Sequence, residues 1–515
     1  MVALLRNDRR WFSMRRCGRD DSTGRWPCVD SPPAPPAATP EGGETDFDLE
    51  APWAVRRVAP SLVMVTTSIP YRLDGVHGEQ FQGTGVIVDR RRGLVVVDRE
   101  TVPIALADIT LTFNGSVEIP GSLVYLHPER NLAVVRYDPD LIGDTPVRAA
   151  KIRDVELDVG DEVWLVGLTS AERGVSRRTR IARREPVRMP LTHPPRFREA
   201  NLEVASVEDA AQTVGGVLTD RLGRVLAFWA SFSTGNATAG DGFFGGIPGH
   251  HMLRMIEPLR KGNPVDWHSL GLELNPLTLS AARDRGLSKD QARRLEKHDP
   301  TGRRVLAVVR RTIGTPGEAL FREGDLILGI DGDPVSRSRD LARASHGGRF
   351  SIEILRGGEE QTIEAEPAAM SGQGTTRSVL WAGALLQAPH PALSAQYGIP
   401  RGGVYVSRHW YGSPATRYRL EATSRIVEVD GQPVADLDEF LAAVATKLDR
   451  AAVRLDTVDL DGKPDVITLK VDLEYWPTYE LRRHEGAWER VGRLEDSSPT
   501  NLMSRSANSA TRKPR

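Results

Sequence analysis

The sequence predicts a mainly β chain in which one all-β unit is followed by two copies of a small α+β domain. Between Pro60 and Arg260, β-branched runs such as SLVMVTT, GTGVIVD, GLVVVD, NLAVVRYD and RVLAFWASF are short, closely spaced and cut by Gly, Pro and Asp. That is the pattern of a β barrel or sandwich. Farther on, Glu323 to Ala344 and Ala422 to Val444 repeat one another in composition and order. The length of 515 residues accommodates about three to four domains of roughly 100–200 residues each.

In chain order, residues 1–50 read as a leader and linker. The stretch SPPAPPAATPEGGET is rich in Pro, Ala and Gly and holds too little apolar surface to fold. The first residues are Arg-rich but lack the uninterrupted apolar core of a secretory signal. Asp8, Asp20 and Asp21 count against an organelle-transit reading without excluding it. No apolar run reaches the roughly 18 residues of a membrane span, and the expected location is cytoplasmic. Only Cys17 and Cys28 occur, both in the leader, which excludes a disulfide framework. Lys and Arg total 68 against 69 Asp and Glu, a net charge of −1, so nothing global points to nucleic acid or an anionic membrane surface.

Residues 51–262 form the expected all-β unit, closed by a short helix in HMLRMIEPLRKG. Two α+β domains follow at 266–368 and 376–484, and 485–515 reads as a disordered basic tail. In the repeat, Asp331-Gly332 corresponds to Asp430-Gly431 and Pro334-Val335 to Pro433-Val434. Each copy gives a strand, a tight Asp-Gly turn, a second strand start and an amphipathic helix.

The repeated unit resembles a PDZ domain of the HtrA/Deg type, through EGDLILGIDGDPV and its second copy. The resemblance implies a loop whose main-chain N–H groups cradle a peptide's terminal carboxylate and a strand that pairs with the peptide. In the first copy SLGLEL supplies them, with Ser269, Leu270, Gly271 and Leu272; in the second WAGALL does, with Trp381, Ala382, Gly383 and Ala384. Ordinary apolar strands are the alternative for both. The second copy departs from the pattern because Thr423-Ser424 replaces the Gly-Asp pair, and HWYGSPA brings aromatic bulk near its entrance.

Upstream, QGTGVIV, GLVVVDRETV and HPERNLAVVRYDP resemble the landmarks of HtrA-type proteases, which implies a trypsin-like double β-barrel. The resemblance is greatest to the degenerate second half of the long tandem Deg proteases of fungi and plants. Aligned so, Glu100 stands at the histidine, Asn131 at the aspartate and Val214 at the nucleophile, while Gly215 and Gly216 of the oxyanion turn remain. A triad needs a hydroxyl or thiol, an imidazole and an orienting acceptor, and these residues supply none of that chemistry together. Thr213 is the nearest hydroxyl, one position out of place.

His250-His251 lacks the further ligands of a zinc site, so no metal is expected. His127 reads as structural, and no phosphate-binding GxxxxGK[ST] loop or other cofactor motif occurs. The resulting expectation is a pseudoprotease that binds protein C-termini or extended peptides and acts as a regulatory scaffold. The alternatives are an active HtrA-type endopeptidase with non-standard residues, and a non-catalytic subunit of a separately encoded active Deg protease. Self-association into a homo-oligomer rests on family analogy.

Overall fold

The computed structural model describes residues 52–233, 242–484 and 486–491. The expected leader and both cysteines lie outside the described residues, as do 492–515 of the expected tail.

Twelve strands build two barrels. The first contains β1 (Leu62–Ser68), β2 (Gln80–Asp89), β3 (Leu94–Val97), β4 (Asp108–Phe113), β5 (Val117–Leu126) and β6 (Ala133–Tyr137), closed in the order β1-β2-β3-β6-β5-β4. The second contains β7 (Glu162–Leu168), β8 (Gly174–Pro186), β9 (Glu203–Val207), β10 (Gly216–Thr219), β11 (Val225–Ser233) and β12 (Gly242–Pro248), in the order β10-β11-β12-β9-β8-β7. Closure removes sheet edges. It also explains β3, whose four residues LVVV are all buried, because the strand is paired on both sides and packed on both faces.

The barrels share a core of Val86, Val134, Val217, Phe228 and Phe232 with Met252, Met255 and Ile256 of the helix Gly249–Arg260. Its apolar residues fall at helical spacing on one face, and each such side chain buried contributes roughly 1.5–3 kcal/mol. The junction therefore holds the two barrels as one unit.

The first α+β unit comprises β13 (His268–Ser269), β14 (Leu272–Thr278), β15 (Arg304–Arg311), β16 (Leu326–Ile330), β17 (Asp333–Pro334), β18 (Phe350–Arg356), β19 (Glu359–Ala365) and β20 (Ala368–Ala369). Its sheet runs β14-β15-β16-β18-β19, and among the described residues β13 pairs with β20 alone. The second unit comprises β21 (Arg377–Trp381), β22 (Ala384–Gln387), β23 (Val404–His409), β24 (Arg425–Val429), β25 (Gln432–Pro433), β26 (Ala452–Val458), β27 (Pro464–Lys470), β28 (Tyr479–His484) and β29 (Ala487–Val491). Here the order is β27-β26-β24-β23-β22-β21-β28-β29.

The repeat read from the sequence is a repeat in space. Asp331 and Asp430 both turn the chain with positive φ, 50° and 49°, and each carboxylate accepts a main-chain N–H from the neighbouring strand, Ser351 and Arg454 respectively. Asp tolerates this conformation and the following Gly favours it. The two expected helices differ. Leu437–Val444 is α-helical and buries Leu437, Phe440 and Val444, whereas Ser338–His346 is a 3₁₀ segment. The second sequence, SRDLARASH, has a single large apolar residue to pack, so tertiary burial does not enforce an α-helix there.

One boundary needs correction. Residues 487–491 are not tail but strand, because β29 pairs antiparallel with β28 and Trp488 reaches the barrel, its indole N–H donating to the Ala105 carbonyl at 2.6 Å. Among the described residues no helix is long and apolar enough to cross a membrane.

Candidate functional site

The turn after β3 holds Glu100. Its carboxylate lies 3.8 Å from the Arg196 guanidinium, and burial raises its pKa while Arg196 opposes the rise. Asn131, in the loop before β6, is wholly buried, and both ends of its carboxamide are used. Its oxygen accepts the Arg99 N–H at 2.7 Å and its NH₂ donates to the Ser231 carbonyl. A carboxylate could accept the first bond but would set a second oxygen against the carbonyl. Asp98 completes the turn, accepting from the Thr101 N–H and from the Ser231 N–H and hydroxyl, at 2.8, 2.9 and 2.9 Å.

Val214 precedes β10. Its N–H donates to the Leu168 carbonyl at 2.8 Å, and its carbonyl accepts the Thr84 N–H at 2.9 Å. Its side chain packs on the inter-barrel core. Gly215 and Gly216 have φ of 112° and 154°, and Gly216 is already paired within β10. The hydroxyl of Thr213 is buried and has no hydrogen-bond partner among the described residues, and its methyl lies against Gly167. No hydrogen bond or ion pair joins Glu100, Asn131 and Val214 to one another among the described residues.

Sequence reasoning gave no hint of Glu199. It is buried beside this cleft, with one oxygen unpartnered among the described residues. Burial, and then the Glu100 carboxylate, push its carboxyl up to about 8. The folded state thus keeps a proton that the unfolded chain releases near the ordinary value of about 4.3. Stability from this group is fully present below that value and is lost as pH rises toward 8, by up to about 1.4 kcal/mol per pH unit. Glu199→Gln, which mimics the protonated form, should therefore melt increasingly above the parent protein as pH is raised from 5 to 8. Parallel melting curves across that range would show that Glu199 ionises freely.

The two α+β units present their expected loops differently. In the first, Gly271 has φ of 70°; its carbonyl and that of Leu270 accept the N–H groups of Thr312 and Gly317, both at 2.8 Å. The Gly271 N–H donates to the Ser269 hydroxyl at 3.0 Å, and that hydroxyl donates to Glu129. Leu270, Leu272 and Leu274 turn inward and line a residual space of about 60 Å³ shared with Arg130, His250 and Trp267. Glu273 faces the other way, onto a cavity of about 470 Å³ bordered by Arg99, Phe197 and Arg310.

In the second unit Ala382 and Gly383, with φ of 49° and 76°, form a two-residue hairpin turn between β21 and β22. The turn carbonyls accept from Ala415 and Trp410, as in the first unit. Yet β22 is paired with β23 on one side and β21 on the other, and β21 with β28. Trp381, Ala382 and Ala384 are buried. The strand expected to receive a peptide thus has its edge filled by the chain itself, because Arg377–Trp381 is long enough to pair along β22. His127 is structural as expected: it is buried and its Nδ1 accepts from the N–H groups of Glu129 and Arg130 at 3.1 Å each. His250 and His251 open the helix Gly249–Arg260, and no metal-ligating cluster occurs among the described residues.

Comparison with known proteins bears on this arrangement. The family described as a PDZ-like domain matches residues 374–450. Protease Do-like 7 of Arabidopsis thaliana is 37% identical over 481 residues, covering 85% of this chain and 44% of that protein. Pro-apoptotic serine protease NMA111 of Yarrowia lipolytica is 32% identical over 496 residues, covering 93% and 50%. The chain spans about half the length of the curated relatives it matches. Among solved structures, the HtrA-type protease AlgW with tripeptide aligns to 62% of this chain and 96% of its own, with 21% identity and a TM-score of 0.44.

Proposed function

The chain belongs to the HtrA/Deg-type family of PDZ-bearing proteins, and from that membership we propose that it is a catalytically inactive member whose first PDZ unit binds extended peptides or protein C-termini as a scaffold. The observation that carries the inactive reading is Val214. The residue at the nucleophile position has no group to attack with, and its N–H is given to the Leu168 carbonyl instead of being left for an oxyanion. Glu100 and Asn131 add neither an imidazole nor a free orienting carboxylate.

Peptide binding is supported by the first unit's geometry. The edge of β14 is unpaired by any strand among the described residues, with a positive-φ glycine at its head and apolar side chains on its inner face. The second unit is a support in this reading, since its corresponding edge is filled. Fluorescence polarisation of a labelled peptide ending in an aliphatic residue tests the function. Saturable binding lost on Gly271→Val is expected, and binding that Gly271→Val leaves unchanged would remove it.

A second reading, a non-catalytic subunit working with a separately encoded active protease, is favoured by one observation: two relatives of which it covers 44% and 50% are named proteases. Native co-purification with a protein bearing an intact Ser-His-Asp triad is the expected result under that reading.

A further inference from the structure

Segment 196–201 runs from the relic cleft to the first PDZ unit, and its residues divide between the two. Arg196 faces Glu100 and donates to the Ser233 carbonyl at 2.8 Å, while Phe197 stacks under the Arg99 guanidinium at 3.6 Å. Arg198 pairs with Glu273 of β14. Asn201 then does something specific. Its NH₂ donates to the Leu272 carbonyl and its oxygen accepts the Leu274 N–H, both at 2.8 Å.

Those two groups belong to the outer edge of β14. An added antiparallel strand would meet the Leu272 carbonyl with the N–H of one residue and the Leu274 N–H with the C=O of a residue two positions away, and a primary carboxamide offers a donor and an acceptor on one side of a single group. Asn201 therefore occupies one acceptor and one donor of the edge that an added strand would use. Its own main chain has φ of 54°, a conformation Asn adopts more readily than most residues and one that fits a built contact. Around it, the Glu129 carboxylate accepts from the Trp267 indole N–H at 3.0 Å and from Ser269, clamping the loop ahead of β14 to the barrel.

We infer that Asn201 is a latch, a side chain that occupies the Leu272 carbonyl and the Leu274 N–H and thereby closes the β14 edge, so that an extended polypeptide enters the first groove only by displacing it. The inference rests on the reading of the first unit as a peptide-binding module. Residues leaving with the latch would uncover the edge next to the 470 Å³ cavity, giving an incoming strand room for the side chains it points toward Glu273. A ligand and the barrel thus compete for one row of hydrogen bonds, and affinity for peptide is reduced by the fraction of time the latch is closed.

The full chain is compared with Asn201→Gly, which keeps the positive φ, and Asn201→Asp, which sets a carboxylate oxygen against the Leu272 carbonyl. Two readouts are taken: hydrogen exchange at the Leu274 amide, and polarisation of a fluorescein-labelled pool of ten-residue peptides with random sequence ending in Leu, Ile or Val. The expected result is Leu274 exchange faster by roughly tenfold or more in both variants, at unchanged folding, together with peptide binding tighter by a similar factor. Unchanged Leu274 protection, or equal peptide affinity in the parent and both variants, overturns the latch. Faster exchange with no peptide bound by any of the three upholds the latch and overturns the peptide-binding reading above. If Asn201→Gly does not fold, Asn201→Asp alone decides by the same criteria.

Discussion

Purified protein is expected to leave casein and an unfolded model substrate intact, at the level of a mock purification, and to take no label from a fluorophosphonate probe. The probe requires an activated hydroxyl. Val214 has none, and the Thr213 hydroxyl is buried with its methyl against Gly167, on a turn tied to both barrels through Leu168 and Thr84. Loss of a whole triad removes about 10⁶-fold of turnover, and the remainder in such enzymes comes from the oxyanion hole and substrate binding. Here the N–H of Val214 is already given to the Leu168 carbonyl, so even the remainder is not expected. Labelling that disappears in Thr213→Ala would identify a shifted nucleophile and sink this reading.

The same geometry says what restoration would do. Glu100→His, Asn131→Asp and Val214→Ser together return the side chains of a triad but not the free N–H of residue 214. Asp at 131 would face the Ser231 carbonyl with an acceptor, and Ser at 214 would place a hydroxyl where an apolar side chain packs. Each unmatched polar group costs on the order of 1–3 kcal/mol. The triple variant is therefore expected to be less stable and to show no hydrolysis. Regained hydrolysis would mean that the Leu168 bond to residue 214 opens readily.

Which parts of this were legible follows from how local each determinant is. Asp331-Gly332 and Asp430-Gly431 announce themselves because a tight turn with positive φ selects those residue types, and the turn sits between alternating apolar runs. The barrels show for the same reason: GLVVVD is a run that only a doubly paired strand buries completely. Glu100, Asn131 and Val214 are singled out by their order along the chain, but what their neighbours do is not legible there. That Asn131 spends its amide on Arg99 and Ser231, or that Val214 gives its N–H to Leu168, depends on residues up to 100 positions away.

The WAGALL stretch marks the limit in the other direction. Its Ala-Gly pair is recognisable as a turn, yet nothing local says that Arg377–Trp381 will fold back along β22 and fill its edge. Asn201 is still less visible. An Asn in REANLE has no periodicity or spacing to distinguish it, and its role exists only because the fold brings β14 beside it. Trp488 is the counterpart at the chain's end, where a polar-looking AWERV becomes a strand because β28 offers an open edge and the barrel offers an acceptor at Ala105.

A peptide ending in a free carboxylate should bind the first PDZ unit more tightly than the same peptide amidated, and Gly271→Val should abolish the binding of both. The loop at Leu270–Leu272 has its Leu270 and Gly271 carbonyls held by the Gly317 and Thr312 N–H groups, so a carboxylate at the head of β14 would be received by the loop's N–H donors, that of Gly271 only by displacing the Ser269 hydroxyl. Removing the charge those donors would receive forfeits a charge-assisted hydrogen bond, roughly 1.5–3 kcal/mol, or about ten- to 150-fold in affinity. The carboxylate must compete with the Ser269 hydroxyl, which holds the Gly271 N–H, so Ser269→Ala should widen the gap between acid and amide. Gly271 is irreplaceable for two independent reasons. Its φ of 70° is strained for a β-branched residue, and an added Cβ would lie 2.3 Å from the Thr315 hydroxyl oxygen and 2.7 Å from its Cβ. Strain and overpacking at about 1–3 kcal/mol each make Gly271→Val destabilising by roughly 2–6 kcal/mol, most of it within the first unit. Isothermal titration of acid against amide, with calorimetric melting of the variant, measures both effects. Equal affinity for the two peptide forms, with Gly271→Val still destabilising, would mean that the glycine serves the fold alone and that internal segments, not chain ends, are what the β14 edge accepts.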